Sequence, residues 1–358
     1  MEGKTVVVRA AVAVVVTLVL VLYGLRLLST GVDRKYPRVV PPASIPPSTH
    51  DDELRFLVIG DFGTGVVPGF DFHQHEVAAT LTHAAEEHKP SFVMTTGDII
   101  YSNGIRSDQD PQIQEKFFTP YAAPSLQVPW HIIPGNHDCR GSVAAMLDVA
   151  SLSPQWHMPA RYYAEQFVVG GATVRILYLD TCLLVCGSMS NFRCEDSMLP
   201  NLSVEEKEEE YAWLDRELAV AADWKLVVGH WSIFSLHGNG PTPELIDELL
   251  PRLVKHGVQA YFNGHDHSLQ HLVYRPAVAA SSASGQQLHL FVSGGGGYET
   301  QPQLKSEARG DLNAGVGVEF SRGMHGFMKA TLTRCTLEIA FVDVQGGTPH
   351  VGRVARKC

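Results

Sequence analysis

Val128-Pro129-Trp130-His131-Ile132-Ile133-Pro134-Gly135-Asn136-His137-Asp138 is an apolar run broken at Pro134-Gly135 and followed at once by polar side chains. That pattern predicts a buried strand ending in a tight turn, with Asn136 and His137 at its C-terminal edge. Four other stretches repeat the plan: Leu57-Val58-Ile59-Gly60-Asp61, Val93-Met94-Thr95-Thr96-Gly97-Asp98, Leu226-Val227-Val228-Gly229-His230 and Ala260-Tyr261-Phe262-Asn263-Gly264-His265-Asp266-His267. In open α/β sheets ligands collect outside the carboxyl ends of strands. Asp61, Asp98, Asn136, His230, His265 and His267 are therefore expected around one spot. An Asp after Gly is ordinarily a turn or cap residue, and a His in an apolar context is ordinarily a hydrogen-bonded core residue. Neither account explains five strand ends decorated alike.

The chain has 358 residues, 45% of them apolar, enough to bury a large core. A formal net charge of −10 argues against nucleic acid as a partner. The acidic run Glu205-Glu206-Lys207-Glu208-Glu209-Glu210 reads as a solvated helix face. Cys139, Cys182, Cys186, Cys194, Cys335 and Cys358 match no zinc-ribbon spacing.

Residues 1–30 read as a targeting segment. Lys4 and Arg9 precede an apolar run from Ala10 to Leu25, which Arg26 interrupts and Leu27-Leu28 close. The run suits an uncleaved signal anchor better than a cleaved signal peptide, because no small-x-small site follows it; snorkelling by Arg9 and Arg26 would extend its reach. Residues 31–53 are a stalk rich in proline: Pro37, Pro41, Pro42, Pro46 and Pro47. The catalytic domain is expected over residues 54–358, beginning near Leu54. The expected location is the secretory pathway: membrane-anchored with a lumenal or extracytosolic domain, or secreted or lysosomal if the segment is cleaved.

Within the domain, Gly63-Thr64-Gly65 is a loop and a helix is predicted from about Gln74 to His88. A short helix is expected around Ile113 to Phe118. Tyr162 to Thr181 reads as an antiparallel hairpin turning at Gly170-Gly171. Ser203-Val204-Glu205-Glu206 is a capping box that opens a helix through about Ala222. Pro243 opens another to about His256. The remainder is β-rich, with Leu288 to Ser293, a Gly294-to-Gly297 turn and a hairpin through Phe327 to Val344. The predicted fold is α/β: two mixed β-sheets packed face to face with flanking helices.

Carboxylate, amide and imidazole donors suit hard or borderline metals, and no Cys lies at these strand ends. Tyr101, three residues beyond Asp98, lies within local reach. The blocks GD (60–61), GD-x-x-Y (97–101), GNHD (135–138), GH (229–230) and GHDH (264–267) resemble those of calcineurin-like metallophosphoesterases. The tyrosine of the second block narrows the resemblance to purple acid phosphatases, and the one-domain chain to their small, tartrate-resistant type. The resemblance runs from about Leu54 to Val344. It implies one metal held by Asp61, Asp98, Tyr101 and His267. The other would be held by Asp98, Asn136, His230 and His265, with Asp98 bridging. Protein Ser/Thr phosphatases of the superfamily would carry Glu at position 138 and an Arg-Gly pair near the second block.

The resemblance also implies an acid phosphatase acting on phosphomonoesters with Fe(III) and a divalent metal (Fe, Zn or Mn). Asp61, Asp98 and Tyr101 bring three negative charges and a bound hydroxide a fourth, so such a pair leaves the site net positive and attractive to phosphate. A trivalent ion also acidifies bound water below the value of about 7 typical of zinc. The expected reaction is in-line attack by a metal-bound hydroxide, with His137 as the proton donor to the leaving group. His237 is a second candidate, although the segment from His230 to His237 is about two residues shorter than the mammalian pattern. Phe62 stands where tryptophan is common.

Alternatives on the same residues are a phosphodiesterase or nucleotidase, and a membrane-displayed binding protein with an inactive site. A monomer is expected. Asn201-Leu202-Ser203 is a glycosylation sequon on a helix-capping turn, predicted exposed. One disulfide is expected within Cys182, Cys186 and Cys194, and Cys139 is disulfide-bonded, packed or reactive.

Overall fold

The computed structural model describes residues 48–50, 52–65, 72–187, 194–276, 287–304 and 315–358. The N-terminal segment and nearly all of the proline-rich stretch lie outside them. Among the described residues no helix is long and apolar enough to cross a membrane.

Among the described residues fifteen strands form two sheets. In chain order they are β1 (Ser48–His50), β2 (Glu53–Ile59), β3 (Phe92–Thr95), β4 (Trp130–His131), β5 (Trp156–His157), β6 (Tyr163–Val169), β7 (Ala172–Tyr178) and β8 (Trp224–Val228). The rest are β9 (Ala260–Asn263), β10 (Leu269–Tyr274), β11 (Leu288–Ser293), β12 (Val316–Arg322), β13 (Gly326–Thr333), β14 (Thr336–Asp343) and β15 (His350–Ala355). One sheet runs β1-β6-β7-β8-β9-β11-β10-β12 and the other β15-β14-β13-β2-β3-β4-β5. Both are mixed: β2-β3-β4-β5 and β7-β8-β9-β11 pair in parallel, while their outer hairpins are antiparallel. The predicted pair of mixed sheets is the one observed. β1 begins the sheet before Leu54, pairing in parallel with β6 through Ser48 and Phe167.

Side-chain alternation explains the layering. On β2, Leu54, Phe56 and Val58 belong to the core between the sheets with Phe92, Phe167, Phe262 and Phe291. Leu57 and Ile59 point the other way, into a second core beneath the helices with Val77, Leu81 and Trp130. Burial on both faces is why β2, β3, β8 and β9 read as continuous apolar runs rather than alternating ones.

Four flanking helices form where the sequence predicts them, and three short ones, over 136–139, 143–149 and 181–186, form where it predicts none. α1 spans Gln74–His88 and ends on Lys89 in the left-handed conformation. α2 starts at Pro111–Ile113, with Asp110 accepting from Gln112 N, and runs on as a π-turn over Gln114–Phe118. α3 is the single turn Asn136–Cys139, and α4 is Val143–Val149. α5 (Thr181–Cys186) is capped by Asp180. α6 (Val204–Ala219) starts at Ser203, whose hydroxyl accepts from Glu206 N; the Glu206 carboxylate turns to Arg161. A final π-turn, Leu245–Leu249, leads into α7 (Leu250–Lys255).

Cys139 pairs with Cys182, Cys186 with Cys194, and Cys335 with Cys358. The bridge expected inside the 182–194 loop is Cys186–Cys194, and Cys139 is disulfide-bonded rather than reactive. Three disulfides mark a secretory-type protein.

The sequon expectation is overturned. Asn201 is 3% exposed, and its Nδ2 donates to Cys139 O (2.8 Å) and Gly141 O (3.0 Å). The nitrogen a glycan would occupy is instead a buried clamp between the loop before α6 and the end of α3.

Candidate metal centre

Asp61 and Asp98 follow the ends of β2 and β3, and His265 follows β9. All three sit in the left-handed backbone region, with φ of 59°, 53° and 68°. Few residues other than glycine are found there, and such strain gathers at functional sites. The turns lace together: Asp61 N donates to Gly97 O (3.0 Å) and Gly264 N to His230 O (3.0 Å). Gly135 and Gly264 leave room for their neighbours' carboxylates. A Cβ on Gly135 would fall on Asp98 Oδ1, and one on Gly264 on Asp61 Oδ2.

These turns bring together all seven residues expected as metal donors. Tyr101 OH lies 3.1 Å from Asp61 Oδ1 and 3.3 Å from His267 Nε2. Asn136 Oδ1 lies 2.9 Å from His230 Nε2 and 2.9 Å from His265 Nδ1. Asp98 stands between the two trios: its Oδ2 is 3.5 Å from His230 Nε2, and it hydrogen-bonds to Tyr101. Oxygens of Asp61 and Asp98 and a ring nitrogen of His230 lie within 4.8 Å of one another.

Backbone carbonyls fix the imidazoles from behind. His230 Nδ1 lies 2.8 Å from Thr96 O and His267 Nδ1 2.9 Å from Glu299 O, leaving each Nε2 toward the cluster. A second hydrogen bond of this kind orients ligating histidines.

The electrostatics call for a cation. Burial holds Asp61 above the usual carboxylate range. Burial, with Asp61 and Asp98 adding to it, pushes the Tyr101 phenol well above its ordinary value. Burial opposes ionisation of Asp98 too, but His230 and His137 outweigh it and hold its carboxyl low. A phenolate beside two buried carboxylates is stable only once positive charge arrives. Hard oxygen donors with borderline imidazoles suit a pair of transition-metal ions.

Beside Asn136 and His265 lies a cavity of about 340 Å³, lined also by Arg140, Glu195, Trp231 and Asn239. His137 packs its ring on Tyr101 at 4.3 Å and holds its Nε2 4.0 Å from Asp98 Oδ2. Its Nδ1 faces Ser102 O at 2.7 Å and Arg140 Nη1 at 2.7 Å. His237 lies apart from this cavity. Its Nδ1 is 2.9 Å from Gln301 O and its Nε2 2.9 Å from Ser321 Oγ, and it lines another cavity of about 650 Å³ with Arg322 and Met324.

Several neighbours were not legible in the sequence. Arg140 reaches His137 and pairs with Glu195. Tyr298 packs its ring, tilted, against Tyr101 at 4.5 Å and His267 at 4.8 Å. Asn239 donates from Nδ2 to His265 O at 2.7 Å and from its backbone to Asp266 Oδ1 at 2.8 Å. The one available signal was position: Tyr298 directly follows the Gly294-to-Gly297 turn.

Residues 54–269 match the calcineurin-like phosphoesterase family. The chain belongs to the calcineurin-like phosphoesterases, in their purple acid phosphatase branch. Tartrate-resistant acid phosphatase type 5 of Sus scrofa is 32% identical over 314 residues, covering 85% of this chain and 87% of that protein. Purple acid phosphatase 4 of Arabidopsis thaliana is 32% identical over 305 residues, covering 84% and 83%. Among solved structures, GAP50, titled the anchor in the inner membrane complex of Plasmodium, aligns with a TM-score of 0.67 at 20% identity. That alignment covers 86% of this chain and 90% of GAP50, a likeness of fold. By family, the chain is an acid phosphatase.

Proposed function

We propose that the chain hydrolyses phosphate monoesters at a binuclear centre of Fe(III) and a divalent ion (Fe, Zn or Mn). The observation that carries this is the position of Asp98 between two trios of donors. Asp61, Tyr101 and His267 would hold one ion; Asn136, His230 and His265 would hold the other; Asp98 would serve both. Two such ions supply Lewis acidity on the phosphate oxygens and an acidified water for in-line attack.

The chain's own residues do the rest. Tyr101, buried and flanked by two carboxylates, favours the ion of higher charge. Arg140 reaches His137 Nδ1 and lines the cavity next to Asn136 and His265. With Nδ1 engaged, His137 presents Nε2 toward Asp98 and the reacting side, where it donates a proton to the leaving oxygen. His237, engaged by Gln301 and Ser321, borders the neighbouring cavity and takes no part in that transfer.

The domain faces an oxidising compartment, held to the membrane if the N-terminal apolar run stays uncleaved and secreted or lysosomal if it is cleaved. The deciding experiment is metal analysis of the purified domain, with rates on matched phosphomonoesters and diesters. Two metals per chain, one of them iron, and a preference for monoesters are expected. A full complement of divalent ions alone, or faster diester turnover, overturns the assignment.

A further inference from the structure

A second group of metal-type donors lies at the edge strands of the seven-stranded sheet. His131 closes β4 and His157 closes β5; they are register partners on adjacent parallel strands. Their side chains thus emerge on the same face, with ring centroids 4.7 Å apart. Glu165 comes from β6 of the other sheet and meets His157 Nε2 at 2.8 Å. One ring nitrogen of each histidine and one Glu165 oxygen all lie within 4.8 Å of one another.

We propose that His131, His157 and Glu165 form a divalent-cation site of the zinc class, distinct from the strand-end centre and clipping the two sheets together. Two imidazoles and a carboxylate are a known zinc donor set, with water completing a tetrahedron. Hard ions such as magnesium and calcium prefer all-oxygen sites. Donor atoms about 2.0–2.2 Å from one zinc sit roughly 3.4 Å apart, so small side-chain rotations close the site.

A second observation points to a ligand. His131 is 5% exposed, and its Nδ1 is buried with no hydrogen-bond partner. An orphaned buried ring nitrogen is unfavourable and uncommon in a native fold. Read as a half-buried ion pair beside a core histidine, the group leaves that atom unexplained; a cation held by the group would lie within reach of the His131 ring. The His157 and Glu165 side chains are 29% and 17% exposed, which gives an ion a path from solvent.

The packing prepares the pocket. Phe92 stands against the His131 ring at 4.8 Å and Tyr178 stacks on it at 5.1 Å. Tyr163 OH donates to Ile132 O (3.1 Å) and His157 O (3.3 Å), tying the ends of both strands. A cation here braces the strand that leads through Ile132-Ile133-Pro134-Gly135 to Asn136.

The full chain with its resident metals is equilibrated with zinc chloride, freed of loose metal, and analysed beside His157→Asn and Glu165→Gln. The wild type should carry one zinc per chain more than either variant, whatever the strand-end centre holds. Added zinc should raise the wild-type Tm by several degrees and leave both variants unmoved. Phosphomonoester turnover should be equal in all three. Far-UV circular dichroism confirms that the variants are folded, and Glu165→Gln, conservative and half-buried, guards against a packing defect at His157. Equal zinc content in wild type and both folded variants overturns the site.

Discussion

Asp138 Oδ2 lies 2.9 Å from the backbone nitrogen of Ile99, one residue beyond Asp98. The same carboxylate accepts from Ile100 N at 3.0 Å and Gly135 N at 2.9 Å. The last residue of GNHD is thus the clasp between two site turns, and its partners are main-chain donors that no substitution elsewhere replaces. Asp138→Asn keeps the shape but turns an amide NH₂ toward N–H donors. Unsatisfied buried donors cost about 1–3 kcal/mol each. The variant should unfold several degrees lower and bind metal more weakly, because both Asp98 and Asn136 hang from this clasp. Calorimetry and metal analysis check it; an unchanged Tm would show that the turns hold without the carboxylate.

Tyr101→Phe separates colour from hydrolysis. In the bare cluster Tyr101 keeps its proton, because burial and two carboxylates oppose the phenolate. A phenolate on Fe(III) absorbs visible light, so the wild type should be coloured and Tyr101→Phe colourless. Some hydrolysis should survive, since Tyr101 joins only one trio. Visible spectra of the two proteins at equal iron content are the measurement. A colourless wild type with full metal content sinks the Fe(III) assignment.

His137→Ala tests the proton donor without disturbing the ligands. Both metals should remain, because Asn136 and not His137 faces His230 and His265. Turnover of alkyl phosphates should fall by roughly 10²–10⁴-fold, the range for a positioned general acid. Aryl phosphates with acidic leaving groups should suffer less. Equal losses on both would make His137 a phosphate-orienting residue. His237→Ala should change rates far less, since His237 is tied to Gln301 and Ser321. Activity should peak at acid pH, where His137 carries its proton; an optimum above about 8 contradicts the role.

The donors that the fold brings together were legible because most are written locally, close behind an apolar run and a glycine. Helix bounds were legible for the same reason: Gln74–His88 and the Ser203 cap depend on neighbours within a turn. What needs the tertiary fold was not legible. Nothing in the sequence tells that Cys139 faces Cys182, that Asn201 turns inward, or that Glu165 of one sheet meets His157 of the other. That His237 turns to Gln301 and Ser321 was not legible either, because loop length does not say which way a side chain points.

Asn201 gives a prediction opposite to its motif. Its amide clamps Cys139 and Gly141, so the folded protein should carry no glycan there. Intact mass before and after an N-glycosidase, with peptide mapping over residues 195–210, decides the point. Asn201→Ala should lower stability by about 1–3 kcal/mol through the two carbonyls it leaves unpaired. A glycan found on Asn201 of active enzyme would show that the loop before α6 packs differently.

The last prediction concerns acid stability and three imidazoles outside the metal centre. His271 on β10 lies 3.0 Å from His350 Nε2 on β15 and 2.9 Å from His289 Nδ1 on β11. The chain joins the two sheets and packs on Phe291, Phe320 and Phe341. Burial, then His289 and His350, pushes His271 down to about 3. Burial pushes His289 down to about 4; Glu319 opposes this and Arg275 adds to it. Burial also lowers His350, against Glu319. Between roughly pH 6.5 and 4 the unfolded chain therefore binds protons that the native chain refuses. Stability should fall as pH falls through that window, by at most about 1.4 kcal/mol per unit for each histidine. His271→Phe removes the central imidazole while keeping a ring against Phe291, so its Tm should depend less steeply on pH than the wild type, whatever its absolute value. Melting curves between pH 4 and 7 with metal content held constant give both slopes. Parallel slopes would show that the acid sensitivity comes from elsewhere in the fold.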